Sequence, residues 1–121
     1  MRLALKRAYD TPSEGDGVRV LVDRRWPRGV RKEDARIDHW LQDVAPSDHL
    51  RRWFNHEAEK WDGFRRRYAE ELDERTEFVM QLIQLAESGK VTLVYGARDR
   101  EHNNAVALKA YLEEQQIRST N

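Results

Sequence analysis

The sequence contains no cysteine. Disulfides, thiolate nucleophiles and cysteine-ligated zinc are therefore excluded together. Net charge is missing as well, because 22 basic and 22 acidic residues cancel. No global field draws the molecule to nucleic acid or to an anionic membrane, so either partner requires a local patch. No apolar run approaches the roughly 20 residues of a membrane span. The start, Met1-Arg2-Leu3-Ala4-Leu5-Lys6-Arg7, is too short and too charged for a signal peptide. The expected compartment is the cytoplasm, and no membrane partner is expected. Internal repeats, low-complexity tracts and linkers are absent too. The 121 residues thus read as one domain, long enough to bury its own core.

Although 36% of the residues are charged, the 39% that are hydrophobic fall in regular stripes, which predicts a folded chain. Leu3 to Tyr9 alternates like a short strand and runs into the turn-rich segment Asp10 to Gly17. Val18-Arg19-Val20-Leu21-Val22 is β-branched and nearly continuous, the pattern of a strand covered on both faces. Pro27 and Gly29 prevent its continuation. From Lys32 to Ala45 the positions Ile37, Trp40, Leu41 and Val44 form a helical stripe that Pro46 ends. Ser47 caps a short helix with Leu50, Trp53 and Phe54. Longer helical patterns follow on either side of a break at Asp73 to Thr76. Val91 to Tyr95 is the last strand, and a last helix runs from Asn103 to about Glu114, with Gln115 to Asn121 expected to fray. The fold class is α/β, with a small mixed or parallel sheet of three or four strands covered by four or five helices.

The most informative stretch is Thr92 to Asn104, where an apolar strand opens through Gly96 into a polar loop and then a helix. Ligands of open α/β sheets bind at such strand ends, and anions favour helix starts. If the strands at 18–22 and 91–95 are parallel neighbours, the loops after them share one cleft. Arg24, Arg28, Arg98, Arg100 and Asn104 would then supply charge and hydrogen bonds to a small anionic ligand, and Trp26 or Tyr95 one wall. Asp23 and His102 form the candidate catalytic, proton-transferring pair. Each has a structural alternative. Asp23 can serve as an ion-pair partner that fixes the Trp26-Pro27 turn, and Asn103 or Asn104 as a helix cap while Asp99 pairs with an arginine. The four histidines have no i, i+4 pairing, so neither a metal site nor a cofactor is expected. The serines lie in turns and caps. These residues define a binding place without defining a reaction.

A second class of function rests on residues 19–36. Arg19, Arg24, Arg25, Arg28, Arg31, Lys32 and Arg36 stand there against Asp23, Glu33 and Asp34, a local excess of four positive charges. This is the best local case for a nucleic-acid or regulatory partner, and it predicts binding that weakens steeply with salt.

Five ordered blocks, Lys6 to Asp10, Gly17 to Gly29, Trp40 to Ser47, Leu50 to His56 and Tyr95 to Ala105, resemble the YeaO-like branch of the domain-of-unknown-function 488 family over nearly the whole chain. The resemblance implies a small cytosolic α/β protein of bacteria or archaea. Longer members of that family carry a cysteine at the end of the last strand and a Cys-His-Arg run at the start of the next helix. The matching positions here hold Tyr95 and His102-Asn103-Asn104, so thiol chemistry does not carry over.

Overall fold

The computed structural model describes residues 1–120. Four strands, β1 (Leu3–Arg7), β2 (Val18–Leu21), β3 (His39–Trp40) and β4 (Val91–Tyr95), form one sheet in the order β1-β4-β2-β3, with every pairing parallel. Five helices accompany it: α1 (Lys32–Ala35), α2 (Asp48–Phe54), α3 (Trp61–Asp73), α4 (Thr76–Ser88) and α5 (Asn104–Thr120). The α/β class and the element count match the sequence pattern. None of these helices is long and apolar enough to cross a membrane.

Successive strand residues point to opposite faces, and the two faces of this sheet differ. Val20, Val22, Val91, Leu93 and Tyr95 meet Leu50, Phe54, Phe64, Tyr68, Leu82 and Leu108 in the main core. On the other face the buried apolar cluster is small, Ala8, Leu21 and Val94 packed against Trp26, Val30 and Ile37. That second face is completed by charge. The buried Asp16 carboxylate accepts from Lys6 Nζ at 2.9 Å and from the buried Arg19 Nη1 at 2.7 Å. Thr92 Oγ1 donates to the Asp16 carbonyl at 2.7 Å.

At the amino-terminal edge the strands approach closely. Val18 N donates to Lys90 O at 3.0 Å. A Cβ on Gly17, whose φ is +65°, would stand 2.3 Å from that oxygen, so only glycine fits.

The helix expected over Lys32 to Ala45 is not formed. It stops after one turn, where Arg36 adopts a left-handed φ of 50°. The chain then joins the sheet edge: Asp38 N donates to Arg19 O at 2.9 Å, and Leu41 N to Leu21 O at 3.0 Å. The helical spacing of Ile37, Trp40 and Val44 disguises three separate destinations. Ile37 packs on the second face and Val44 in the main core. Trp40 stays 38% exposed, with its indole N–H on Asp23 O at 2.8 Å. Pairing with β2 supplied the backbone hydrogen bonds that a helix would have supplied, and tertiary context decided.

The break between α3 and α4 falls where expected. The last helix runs further than predicted, through Thr120, and Asn121 lies outside the described residues. Pairs at i, i+4, Lys109–Glu113 at 3.1 Å and Glu114–Arg118 at 2.9 Å, support the added turns.

Candidate functional site

Because β2 and β4 are adjacent and parallel, the loops that follow them leave the sheet side by side. Between them lies a hollow of about 320 Å³. The first loop contributes Asp23, Arg24, Arg25, Trp26, Pro27 and Arg28, and the second Gly96, Ala97, His102, Asn103 and Asn104. Arg51, Phe54 and His56, from α2 and the turn after it, together with Phe64 of α3, close the remaining side.

Asp23 ties the two loops together. Its Oδ2 accepts from Gly96 N at 2.9 Å and its Oδ1 from Asn104 Nδ2 at 3.0 Å. Asn104 Nδ2 also reaches Val22 O at 3.1 Å. A Cβ at residue 96 would stand 3.1 Å from that Oδ2 and 3.7 Å from Pro27 Cβ, which keeps the place for a glycine. Burial pushes the Asp23 carboxyl above its ordinary value, against the lowering effect of the Asn104 amide, the Gly96 N–H and the Arg51 charge. Both carboxylate oxygens are thus engaged by neutral N–H donors. These bonds fix the two loops together without an ion pair.

The arginine wall is also anchored. Arg24 Nη2 donates to Ala45 O at 3.2 Å, while its Nε is buried without a hydrogen-bond partner. Ala45 O accepts from Arg75 Nη1 as well, and Val44 O accepts from the buried Tyr68 hydroxyl. Burial raises that phenol far above its ordinary range. The Tyr68→Phe variant should lose about 1–2 kcal/mol of stability in a urea titration, the cost of a buried carbonyl that has lost its donor.

Ser47 Oγ caps α2 by accepting from Leu50 N at 3.1 Å and donates to Glu71 Oε2 at 2.6 Å. The helix is thereby fixed against α3. It ends in two successive left-handed residues, Asn55 with φ 48° and His56 with φ 56°, which set His56 at the hollow.

The second loop is organised by Asp99, whose Oδ1 accepts from Glu101 N at 2.9 Å and His102 N at 3.0 Å. The Glu101 amide, followed by the His102 ring, holds its carboxyl below the usual value. His102 Nδ1 lies 3.0 Å from Asp99 Oδ2, and its ring meets Trp61 edge-on at 5.3 Å. Asn103 caps α5, with Oδ1 accepting from Val106 N at 2.9 Å.

Six of the nine residues expected at the site line the hollow: Asp23, Arg24, Trp26, Arg28, His102 and Asn104. The other three stand elsewhere. Arg98 is exposed and outside the lining. Arg100 turns away and grips Asp10 in two bonds of 2.9 Å. Tyr95 is 2% exposed, packed in the main core and not a wall. The Asp99 turn explains the arginines, because tying residues 99–102 into a compact cap leaves the alternate side chains facing outward. The expected Asp99–arginine pair is replaced by Asp99–His102.

Sequence reasoning gave no place at the hollow to Arg25, Arg51, His56 or Tyr9, which also line it. The block Leu50 to His56 belongs to the family resemblance, and that was the one signal available for Arg51 and His56. The basic segment 19–36 loses part of its charge to the interior. Arg19 is buried on Asp16 and Arg24 is directed to Ala45, while at the surface Arg31 pairs with Glu33. Among the described residues no group of three or more histidines and carboxylates is arranged to hold a metal ion.

These features define a small α/β protein with an arginine-lined hollow at the carboxyl edge of a parallel sheet. Residues 2–121 match the family model described as "Inactive DUF488-N3 subclade". The chain belongs to this YeaO-like branch of the domain-of-unknown-function 488 family. It is 37% identical to "Uncharacterized protein YeaO" of Escherichia coli (strain K12) over 112 residues, which cover 93% of this chain and 97% of that protein. It is 40% identical over 111 residues to "Uncharacterized protein Mb3100c" of Mycobacterium bovis and to "Uncharacterized protein Rv3073c" of Mycobacterium tuberculosis, covering 92% of this chain and 93% of each relative. No solved structure matches the chain significantly.

Proposed function

We propose that the hollow between the Asp23–Gly29 and Gly96–Asn104 loops binds a small anionic ligand. The observation that carries this reading is the charge of its lining. Arg24, Arg25, Arg28 and Arg51 converge there with His56 and His102, and the single carboxylate among them, Asp23, has both oxygens occupied by N–H donors. A planar guanidinium fork reaches two oxygens of a phosphate, sulfate or carboxylate at once, and a cluster of them suits such an anion. The role proposed is binding, with Asp23 holding the two loops in place around the ligand.

Phosphate and sulfate, titrated against the protein by amide NMR, are the simplest probes. Arg28→Gln and Arg51→Gln should each weaken binding about tenfold, the size of a lost charge-assisted hydrogen bond. Arg98→Gln, outside the hollow, should leave the affinity unchanged. Equal losses in all three variants, or none in the first two, would move the site elsewhere.

A further inference from the structure

The hollow gathers hydrogen-bond donors, and one of its side chains is arranged to accept. Arg24, Arg25, Arg28 and Arg51 bring only N–H groups to it, because a guanidinium has no acceptor. Asp23 already accepts from Gly96 N and Asn104 Nδ2, and Ala45 O from Arg24 and Arg75. His102 is placed differently. Its ring lines the hollow and its side chain is 32% exposed, open to a ligand. Nδ1 lies 3.0 Å from Asp99 Oδ2, and an ionised carboxylate can only accept. Since the Glu101 amide and the His102 ring lower the Asp99 carboxyl, it is ionised at neutral pH. The single ring hydrogen of a neutral imidazole is therefore drawn to Nδ1, which leaves Nε2 as a bare acceptor. The backbone N–H of His102 on Asp99 Oδ1 at 3.0 Å and the edge-on contact with Trp61 at 5.3 Å keep the ring in this orientation.

Resting on the anion-binding reading above, we propose that the ligand is an oxyanion that keeps one hydrogen of its own, as hydrogenphosphate does, with its O–H donated to His102 Nε2 and its other oxygens on the arginines. Sulfate carries no such hydrogen, and neither does the dianion of a phosphate ester. Either one would set a bare oxygen against the Nε2 lone pair, so that two acceptors give up water and gain no bond. Asp99 is the positioning residue, since it decides which ring nitrogen carries the hydrogen.

The test compares hydrogenphosphate, sulfate and methyl phosphate at about pH 8, where all three are dianions and the hydrogen is the variable. Calorimetry and amide NMR on the full chain should show hydrogenphosphate bound about tenfold more tightly than the other two. Ring 15N shifts of the unliganded protein should show Nδ1 protonated and Nε2 bare. His102→Phe, which keeps a ring beside Trp61 and removes both nitrogens, should abolish the preference while sulfate still binds. Asp99→Asn keeps Oδ1 for the Glu101 and His102 amides and puts an N–H donor where Oδ2 stood. The ring hydrogen then moves to Nε2, and the preference should turn toward sulfate, an inversion that loosened packing does not produce. His56→Asn, which suits the left-handed φ of that position, should weaken hydrogenphosphate and sulfate alike. Equal affinity for these two anions in the parent would overturn the assignment and leave the anion site standing. So would a preference that survives His102→Phe or Asp99→Asn, or a ring hydrogen found on Nε2. If none of the three anions binds, the anion reading itself falls, and this one with it.

Discussion

Replacing Asp16 by alanine is expected to cost the fold about 3 kcal/mol at neutral pH, measured by urea unfolding. Among the described residues this carboxylate is the one that pairs with both Lys6 and Arg19, and Arg19 is 3% exposed. Its removal strands a guanidinium that already has a buried Nη2 without a partner. Full burial of a broken pair costs more, but the Lys6 side chain is 22% exposed, so water offsets part of the loss. The double variant Asp16→Ala with Arg19→Met should lose less than the two single changes summed, since it removes the stranded charge along with its partner.

The pH dependence follows in sign. Burial alone would raise the Asp16 carboxyl, but the Ser13 backbone and side chain, Lys6 and Arg19 outweigh it and hold the group well below its ordinary 3.8. The stability it contributes is therefore fully present above about pH 3.8 and is lost as the pH falls toward its lowered value. Parent stability should decline in that acid range, and the Asp16→Ala variant should show a shallower decline. Parallel profiles would show that Asp16 is not the group responsible.

The second large effect is expected at Asp23. Asp23→Ala removes the acceptor for both Gly96 N and Asn104 Nδ2. At about 1–3 kcal/mol for each donor left without a partner, and with Asn104 keeping its bond to Val22 O, a loss of about 2–4 kcal/mol is anticipated. Here the linkage runs the other way. The folded protein holds the Asp23 proton more tightly than the unfolded chain, so this group's stabilisation is complete below its ordinary 3.8 and falls as the pH rises through the raised value. The destabilisation measured for Asp23→Ala should accordingly be larger in mild acid than at neutral pH. Exchange of the Gly96 amide, followed by NMR, should accelerate in the variant. Unchanged protection there would mean that the loops are held by something else.

The sequence already carried the central pair of strands, because Val18 to Val22 and Val91 to Tyr95 are continuous apolar runs that make sense only when buried on both faces. From their parallel pairing came the shared hollow and the meeting of Asp23 with Asn104. Two things were not legible. The stripe at Ile37, Trp40, Leu41 and Val44 satisfies helical spacing, yet Arg36 turns left-handed and β2 claims the backbone of residues 38–41. Local periodicity has no term for a neighbouring strand that arrives from elsewhere in the chain. Arg51 and His56 were missed for a related reason: their place depends on Glu71 of α3 gripping Ser47, a long-range contact that no short window contains. The arginines of the second loop show the reverse error. Proximity to a helix start suggested that Arg98 and Arg100 face a ligand, whereas the Asp99 cap and the Asp10 pair direct this stretch outward.

The strand that comes fourth along the chain sits between the first and second in space, and Leu3 pairs with Val91. During synthesis β1 and β2 thus have no mutual ladder to form; β2 can pair early with β3, but β1 and the other edge of β2 wait for a strand made much later. Closing so long a loop must precede any reward from pairing, which favours a late, concerted assembly over a growing amino-terminal nucleus. Chains interrupted before β4 would then present a solitary β1 and the uncovered edge of the short β2-β3 pair, so translational stalling exposes sticky edges that the finished molecule hides.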